Sequence, residues 1–330
     1  MKKTVPILLL FLLLFGLALA EEDFSLSDIN ISPSFNIISP SSDQSYESGG
    51  KLRVQTSATN VKSYKISLRF DQTQIDEEHV GENLDTTLQF APTYHPITLH
   101  ITAFVNDDFS GAQTEKTLTL LTPKQEIISK MISLAYANSK DKKYNFAPAE
   151  EDHHIGVCKN FVMRLFDTFS KDYVMAAYPD LKLHMPKNRS LVDSKPYQYG
   201  LEWRIESAED GSPFEIVEQF KYNRDLSKEE NYKMAYSLMT KIQKGDFFQM
   251  VGDYGGGNGP HSLYFIEDYN PTNDNLHWTD SNMFGKRVDG IRWGYMQFDA
   301  VKTGEWFANV FNMKDRGATI YRLRDDLIKP

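Results

Sequence analysis

Cysteine occurs once in these 330 residues, as Cys158. That excludes an internal disulfide and with it a small scaffold held by cross-links, so the order of the chain has to come from packing. Basic residues are also in short supply: 36 Lys and Arg stand against 45 Asp and Glu. No basic stripe interleaved with aromatics is present, and surplus negative charge repels a phosphate backbone, so nucleic acid is excluded as a partner. Long apolar runs are missing after residue 20, which leaves no candidate for a later membrane span. Metal-ligand spacing is missing too. Glu150-Glu-Asp-His-His154 reads as a solvated polar loop, and Asp268 to Asn275 lacks the glycine and terminal glutamate of a calcium loop. Neither a metal nor another cofactor is therefore expected.

What is present begins with a leader. Lys2 and Lys3 precede an apolar run from Ile7 to Leu19 that closes on Ala18-Leu19-Ala20 before Glu21-Glu22. This is the pattern of a secretory signal peptide over residues 1–20. Its core is too short for a membrane span, and no cysteine follows the cut site to carry a lipid. The short Lys-Lys start points to a bacterium, so the mature chain is expected to be secreted or periplasmic. Residues 21–33 read as a flexible polar segment.

The whole chain is 41% hydrophobic and 13% aromatic, enough for the part after the leader to bury a substantial core, and its length suggests two domains. Residues 34–123 form the first. Runs such as Phe35 to Ile38, Leu52 to Thr56, Ser63 to Phe70, Thr86 to Phe90, Ile97 to Phe104 and Thr117 to Leu121 alternate or are β-branched. Turn residues separate them: Ser39-Pro40, Ser48-Gly49-Gly50, Ala91-Pro92 and Asp107 to Gly111. Six or seven strands in that length suit an antiparallel sandwich. The segment resembles immunoglobulin-like or fibronectin-like domains of secreted bacterial proteins, without the cysteine pair of antibody domains. Such a domain implies a protein or surface partner but fixes no activity.

Residues 124–330 form the second. A helix is expected after Pro123, with Ile127, Ile128, Met131, Ile132 and Leu134 on one stripe, fading over Asn138 to Lys143. Another is expected around Cys158, where Phe161, Val162, Leu165, Phe166 and Phe169 recur at three- and four-residue spacing. Tyr173 to about Asn223 reads as a long irregular insertion. Ser227 to Lys244 reads as a helix opened by a Ser227/Glu230 capping box, and Trp293, Trp306 and Tyr321 as core of the final strands.

Chemistry enters with Cys158. At a helix start the unpaired backbone N–H groups favour an anion and hence a reactive thiolate, and the Cys158 N–H is a natural oxyanion donor. A lone cysteine on an apolar face also reads as a small core residue. What separates the two readings is a base. Gly255-Gly-Gly-Asn-Gly-Pro260 lacks the Lys-Ser/Thr ending of a phosphate loop and instead delivers His261 to the mouth of a strand, Ser262 to Ile266. A turn at Asn270-Pro271-Thr272 returns the chain as Leu276 to Asn282. That hairpin sets His261 across from Asp280 or Asn282, which share a strand face with Trp278. A thiol, a base and a group that orients the base are what nucleophilic cysteine chemistry requires.

Cys158 followed by Phe161-Val162, the Gly245-Asp246 turn, His261 opening a strand and Asp280-Ser281-Asn282 ending the next resemble the cysteine, histidine-dependent amidohydrolase/peptidase (CHAP) domains and the related NlpC-type cell-wall hydrolases. The resemblance implies an α+β papain-like domain over 124–330, with Cys158 as nucleophile and His261 as base. Asp280, where the first group usually has Glu, falls on the orienting acid, Asn282 on a further polar residue, and Tyr144 on a tyrosine near the oxyanion. It implies an amidase or peptidase acting on the peptide part of peptidoglycan, or on another amide substrate. The rival reading is a secreted binding or adhesion protein whose papain-like domain has lost turnover.

Overall fold

The computed structural model describes residues 32–93, 95–139, 158, 165, 166, 169, 171, 173–181, 183, 187–188, 203–204, 213–253, 258–283, 287, 289–291 and 293–325. The leader, Tyr144, the histidines at 153 and 154, and His184 lie outside these residues.

The N-terminal part is two antiparallel sheets. β1 (Ser34–Ser39), β2 (Lys51–Thr59) and β5 (Asp85–Gln89) form one, in the order β1-β2-β5. β3 (Ser63–Phe70), β4 (Thr73–Val80), β6 (Ile97–Phe104) and β7 (Gln113–Leu120) form the other, in the order β4-β3-β6-β7. The alternation of the sequence becomes the inner faces: Leu52 and Val54 from one sheet, Ile66, Leu68, Leu99 and Ile101 from the other, all buried in one cluster. Each such side chain contributes about 2 kcal/mol by leaving water. Tyr64 ties the layers, its ring edge-on to Phe35 and its hydroxyl bonded to Thr56 and to the Glu82 carbonyl. β4 is not among the runs that pattern picks out. It is an edge strand with no residue fully buried, so nothing drives its residues to alternate.

α1 (Pro123–Ser139) follows β7 after two residues. Its first turn is fastened to the sandwich by Glu126, 2% exposed, which accepts from the Ser45 backbone N–H at 2.9 Å and from the Ser45 and Tyr173 hydroxyls. Lys130 pairs with Asp43 at 3.0 Å one turn later.

The C-terminal part is one six-stranded antiparallel sheet built from β10 (Phe214–Lys221), β11 (Phe247–Asp253), β12 (Asn258–Phe265), β13 (Asn275–Met283), β14 (Gly294–Thr303) and β15 (Gly317–Leu323), in the order β10-β15-β11-β12-β13-β14. Successive side chains feed opposite faces. Phe247, Tyr264 and Tyr321 join the cluster of α1, Leu165 and Phe166, whereas Phe248, Leu263, Phe265 and Ile320 pack under α2 (Lys228–Met239) and α3 (Gly304–Phe311). A two-residue ladder, β8 (Lys187–Asn188) with β9 (Trp203–Arg204), also lies in the second part.

Several expectations change here. The irregular insertion does not run to Asn223, because β10 pairs with β15 from Phe214 onward. The helix after Ser227 has the expected capping box but stops at Met239, before Lys244. Trp306 is on α3 rather than on a strand; Thr303 caps that helix, and Asp274 accepts from the Glu305 N–H. Two glycines matter. Gly245 (φ +92°) makes the turn before β11 against Ile128, and a Cβ on Gly252 would lie 2.1 Å from the Val310 carbonyl oxygen of α3.

Candidate active site

β12 and β13 carry His261 and Asp280. Phe265 pairs with Trp278 and Tyr264 with Thr279, the register that a turn centred near residue 271 imposes. His261 therefore shares a face with Leu263 and Phe265, and Asp280 with Trp278 and Leu276. Both are buried, at 6% and 1% exposure. The Nε2 of His261 is 2.7 Å from Oδ2 of Asp280, and its Nδ1 is 3.1 Å from the sulfur of Cys158, which stays partly exposed. Each ring nitrogen thus has one of the residues singled out in the sequence. Asn282 instead sits opposite Tyr295 in the β13–β14 pair.

The electrostatics follow from this geometry. Burial alone pulls the His261 imidazolium towards deprotonation. Negative charge at Cys158 and the hydrogen bond and charge of Asp280 outweigh it and lift the pKa from 6.5 to about 10. The site thus favours a protonated imidazole at neutral pH. Tyr295 on β14 belongs to the same field: burial first, then the charges of Asp280 and Cys158, raise its pKa.

The residues on either side of Cys158, 157 and 159 to 164, lie outside the described ones. Cys158 itself is a turn residue with φ +46°, a left-handed conformation that costs a non-glycine residue about 1–2 kcal/mol. Leu165, Phe166 and Phe169 are helical and buried, as their spacing predicts. Phe161 and Val162 lie outside the described residues. The Cys158 N–H is not the oxyanion donor that the sequence suggested, since it already donates to the Ser281 carbonyl at 3.1 Å. That bond pins the cysteine backbone to β13, one residue from Asp280.

Two residues near the site were not given roles from the sequence. The Trp278 indole N–H donates to the same Asp280 oxygen that meets His261, at 3.0 Å; its position two residues before Asp280 was the available signal. Tyr295 had none, because the β13–β14 register is irregular between Trp278 and Asp280. His277, without a visible partner in the sequence, has its Nδ1 2.6 Å from Asp299 on the opposite face of β13. Among the described residues no group of three or more His, Cys, Asp or Glu is arranged to hold a metal. No described helix is long and apolar enough to cross a membrane. A groove of about 760 Å³ lies between α1 and the segment after α2, lined by Lys124, Lys241 and Tyr269 among others, and does not include Cys158, His261 or Asp280.

Comparison of the chain with protein-family models, with curated proteins and with solved structures yields no match.

Proposed function

We propose that the protein is an exported cysteine amidase or peptidase that hydrolyses amide bonds in the peptide part of peptidoglycan, using a papain-like α+β domain of CHAP or NlpC type behind an immunoglobulin-like sandwich. The observation that carries the reading is one imidazole held between a sulfur at 3.1 Å and a carboxylate at 2.7 Å. Asp280 fixes Nε2–H and so leaves Nδ1 to exchange a proton with the thiol. The thiol proton passes to Nδ1, and the thiolate attacks the amide carbonyl carbon. As the C–N bond breaks, the imidazolium returns that proton to the departing amine. His261 then takes a proton from water, whose oxygen attacks the thioester, and the acid product leaves as the thiol is regenerated. Export rests on the leader, and the choice of peptidoglycan on the resemblance.

The second reading is a secreted binding or adhesion protein with a spent papain-like domain. It is favoured by the Cys158 N–H being engaged by Ser281, which removes one stabiliser of a tetrahedral intermediate. Digestion of purified peptidoglycan separates the two. The wild-type protein is expected to release soluble peptides whose masses identify the bond cut, and Cys158→Ala is expected to release none while folding normally. Equal release by both proteins removes the cysteine mechanism; no release by either favours the binding protein.

A further inference from the structure

Two groups hydrogen-bond the Asp280 carboxylate and a third feels its charge, and the hydrogen bonds use only one of its oxygens. Oδ2 lies 2.7 Å from His261 Nε2 and 3.0 Å from Trp278 Nε1. Oδ1 is buried with no hydrogen-bond partner among the described residues. The third group is Tyr295, which feels the Asp280 charge from β14. Trp278 is itself held hard: 6% exposed, stacked on Trp306 (ring centroids 6.5 Å, 11° between planes) and edge-on to Phe307 at 5.1 Å. Both aromatic partners belong to α3, whose N-terminus is fixed by Thr303 and Asp274.

We infer that Trp278 is a positioning residue of this site: its indole N–H, clamped by α3, locks the Asp280 carboxylate in the rotamer that meets His261. A carboxylate with one empty oxygen has no second anchor, so without the indole it can swing away from the direction in which it meets the imidazole. The inference rests on the proposed Cys158–His261–Asp280 triad, but it is tested on the thiol rather than on turnover. The titratable groups facing this carboxylate are His261 from β12, Tyr295 from β14 and, beyond the imidazole, Cys158.

The test is the rate at which iodoacetamide alkylates Cys158 in the full chain between pH 6 and 8, followed by intact mass. Trp278→Phe keeps an aromatic ring and removes the donor. It is expected to slow alkylation at pH 7 roughly tenfold, the scale of one hydrogen bond to a charged group. Asp280→Asn should slow it at least as much, and the double variant no more than Asp280→Asn alone, because both act through one carboxylate. Trp306→Phe, which keeps an aromatic ring against the indole and Phe307 beside it and leaves the hydrogen bond in place, should alkylate at the wild-type rate.

A wild-type rate in Trp278→Phe overturns the inference. So does a double variant slowed by the product of the two single effects, or equal slowing in Trp306→Phe. If Trp278→Phe does not fold, hydrogen exchange of the Trp278 indole decides: faster exchange in Asp280→Asn than in wild type is expected, and equal exchange overturns the inference. Absence of wall digestion with this alkylation pattern intact would count against the amidase reading and leave Trp278 in place. Normal digestion with unaltered alkylation in Trp278→Phe would do the reverse.

Discussion

Asp280 lies 2.7 Å from His261 although the β12–β13 ladder is paired only nearer its turn. Tyr264 stands opposite Thr279 and Phe265 opposite Trp278, and that register carried three residues further would set Asn282 in line with His261. The carboxylate at hydrogen-bond distance is nonetheless that of Asp280. Residues two apart on one strand face can both come within reach of an imidazole across the pair, and the extra residue that breaks the β13–β14 register lies on β14, between Gln297 and Ala300.

The first prediction concerns pH. Negative charge at Cys158 and the contact with Asp280 raise His261 against the effect of its burial, so removing the Asp280 charge lowers its proton affinity. Asp280→Asn is expected to move the alkaline limb of the kcat/KM profile to lower pH and to cut kcat by on the order of 10² to 10⁴. Linkage gives the matching stability effect. A histidine raised from 6.5 to about 10 contributes its full stabilisation below about pH 6.5 and loses it as pH climbs through about 10. Denaturant titrations of wild type and His261→Ala at pH 6 and pH 10 should therefore differ more at the lower pH.

A second prediction tests whether the two parts unfold together. Glu126 is buried and takes hydrogen bonds from Ser45 on the sandwich side and from Tyr173. Glu126→Ala leaves these donors unpaired and is expected to cost about 3 kcal/mol. It should also split one thermal transition into two, seen by calorimetry. A single transition at the wild-type temperature would contradict the latch.

The third is structural support for β11. Asp246 is fully buried and receives Arg322 Nε at 2.8 Å and Nη2 at 2.7 Å. Burial raises the Asp246 pKa, and Arg322 opposes that shift. Asp246→Ala removes one partner of this pair and should destabilise the fold by about 3–5 kcal/mol. Denaturant midpoints check it, and a loss under 1 kcal/mol would show that the pair carries little.

Much of this was legible in the sequence wherever one face of an element is buried. The inner residues of β2, β3 and β6, the stripe of α1 and the Ser227/Glu230 box stand out because burial or capping constrains them. β4 did not, since water meets both its faces. β10 was hidden for another reason: only Phe214 and Phe220 of its residues are buried, so its pattern is faint and it read as part of the irregular insertion. α3 is eight residues long and is held partly by Asp274 from a distant turn. At the site, the hairpin arithmetic brought an imidazole and an acid together and left Asp280 and Asn282 equal. The Ser281 carbonyl that occupies the Cys158 amide comes from a strand more than a hundred residues away, and no local spacing announces it.

The account stands most directly on the rate at which Cys158 is alkylated in the native protein at pH 6, compared with His261→Ala. Wild-type Cys158 should react at least tenfold faster, because the imidazole 3.1 Å from its sulfur can take the thiol proton. Equal rates in the two proteins, or alkylation of the wild type only after unfolding, would contradict it.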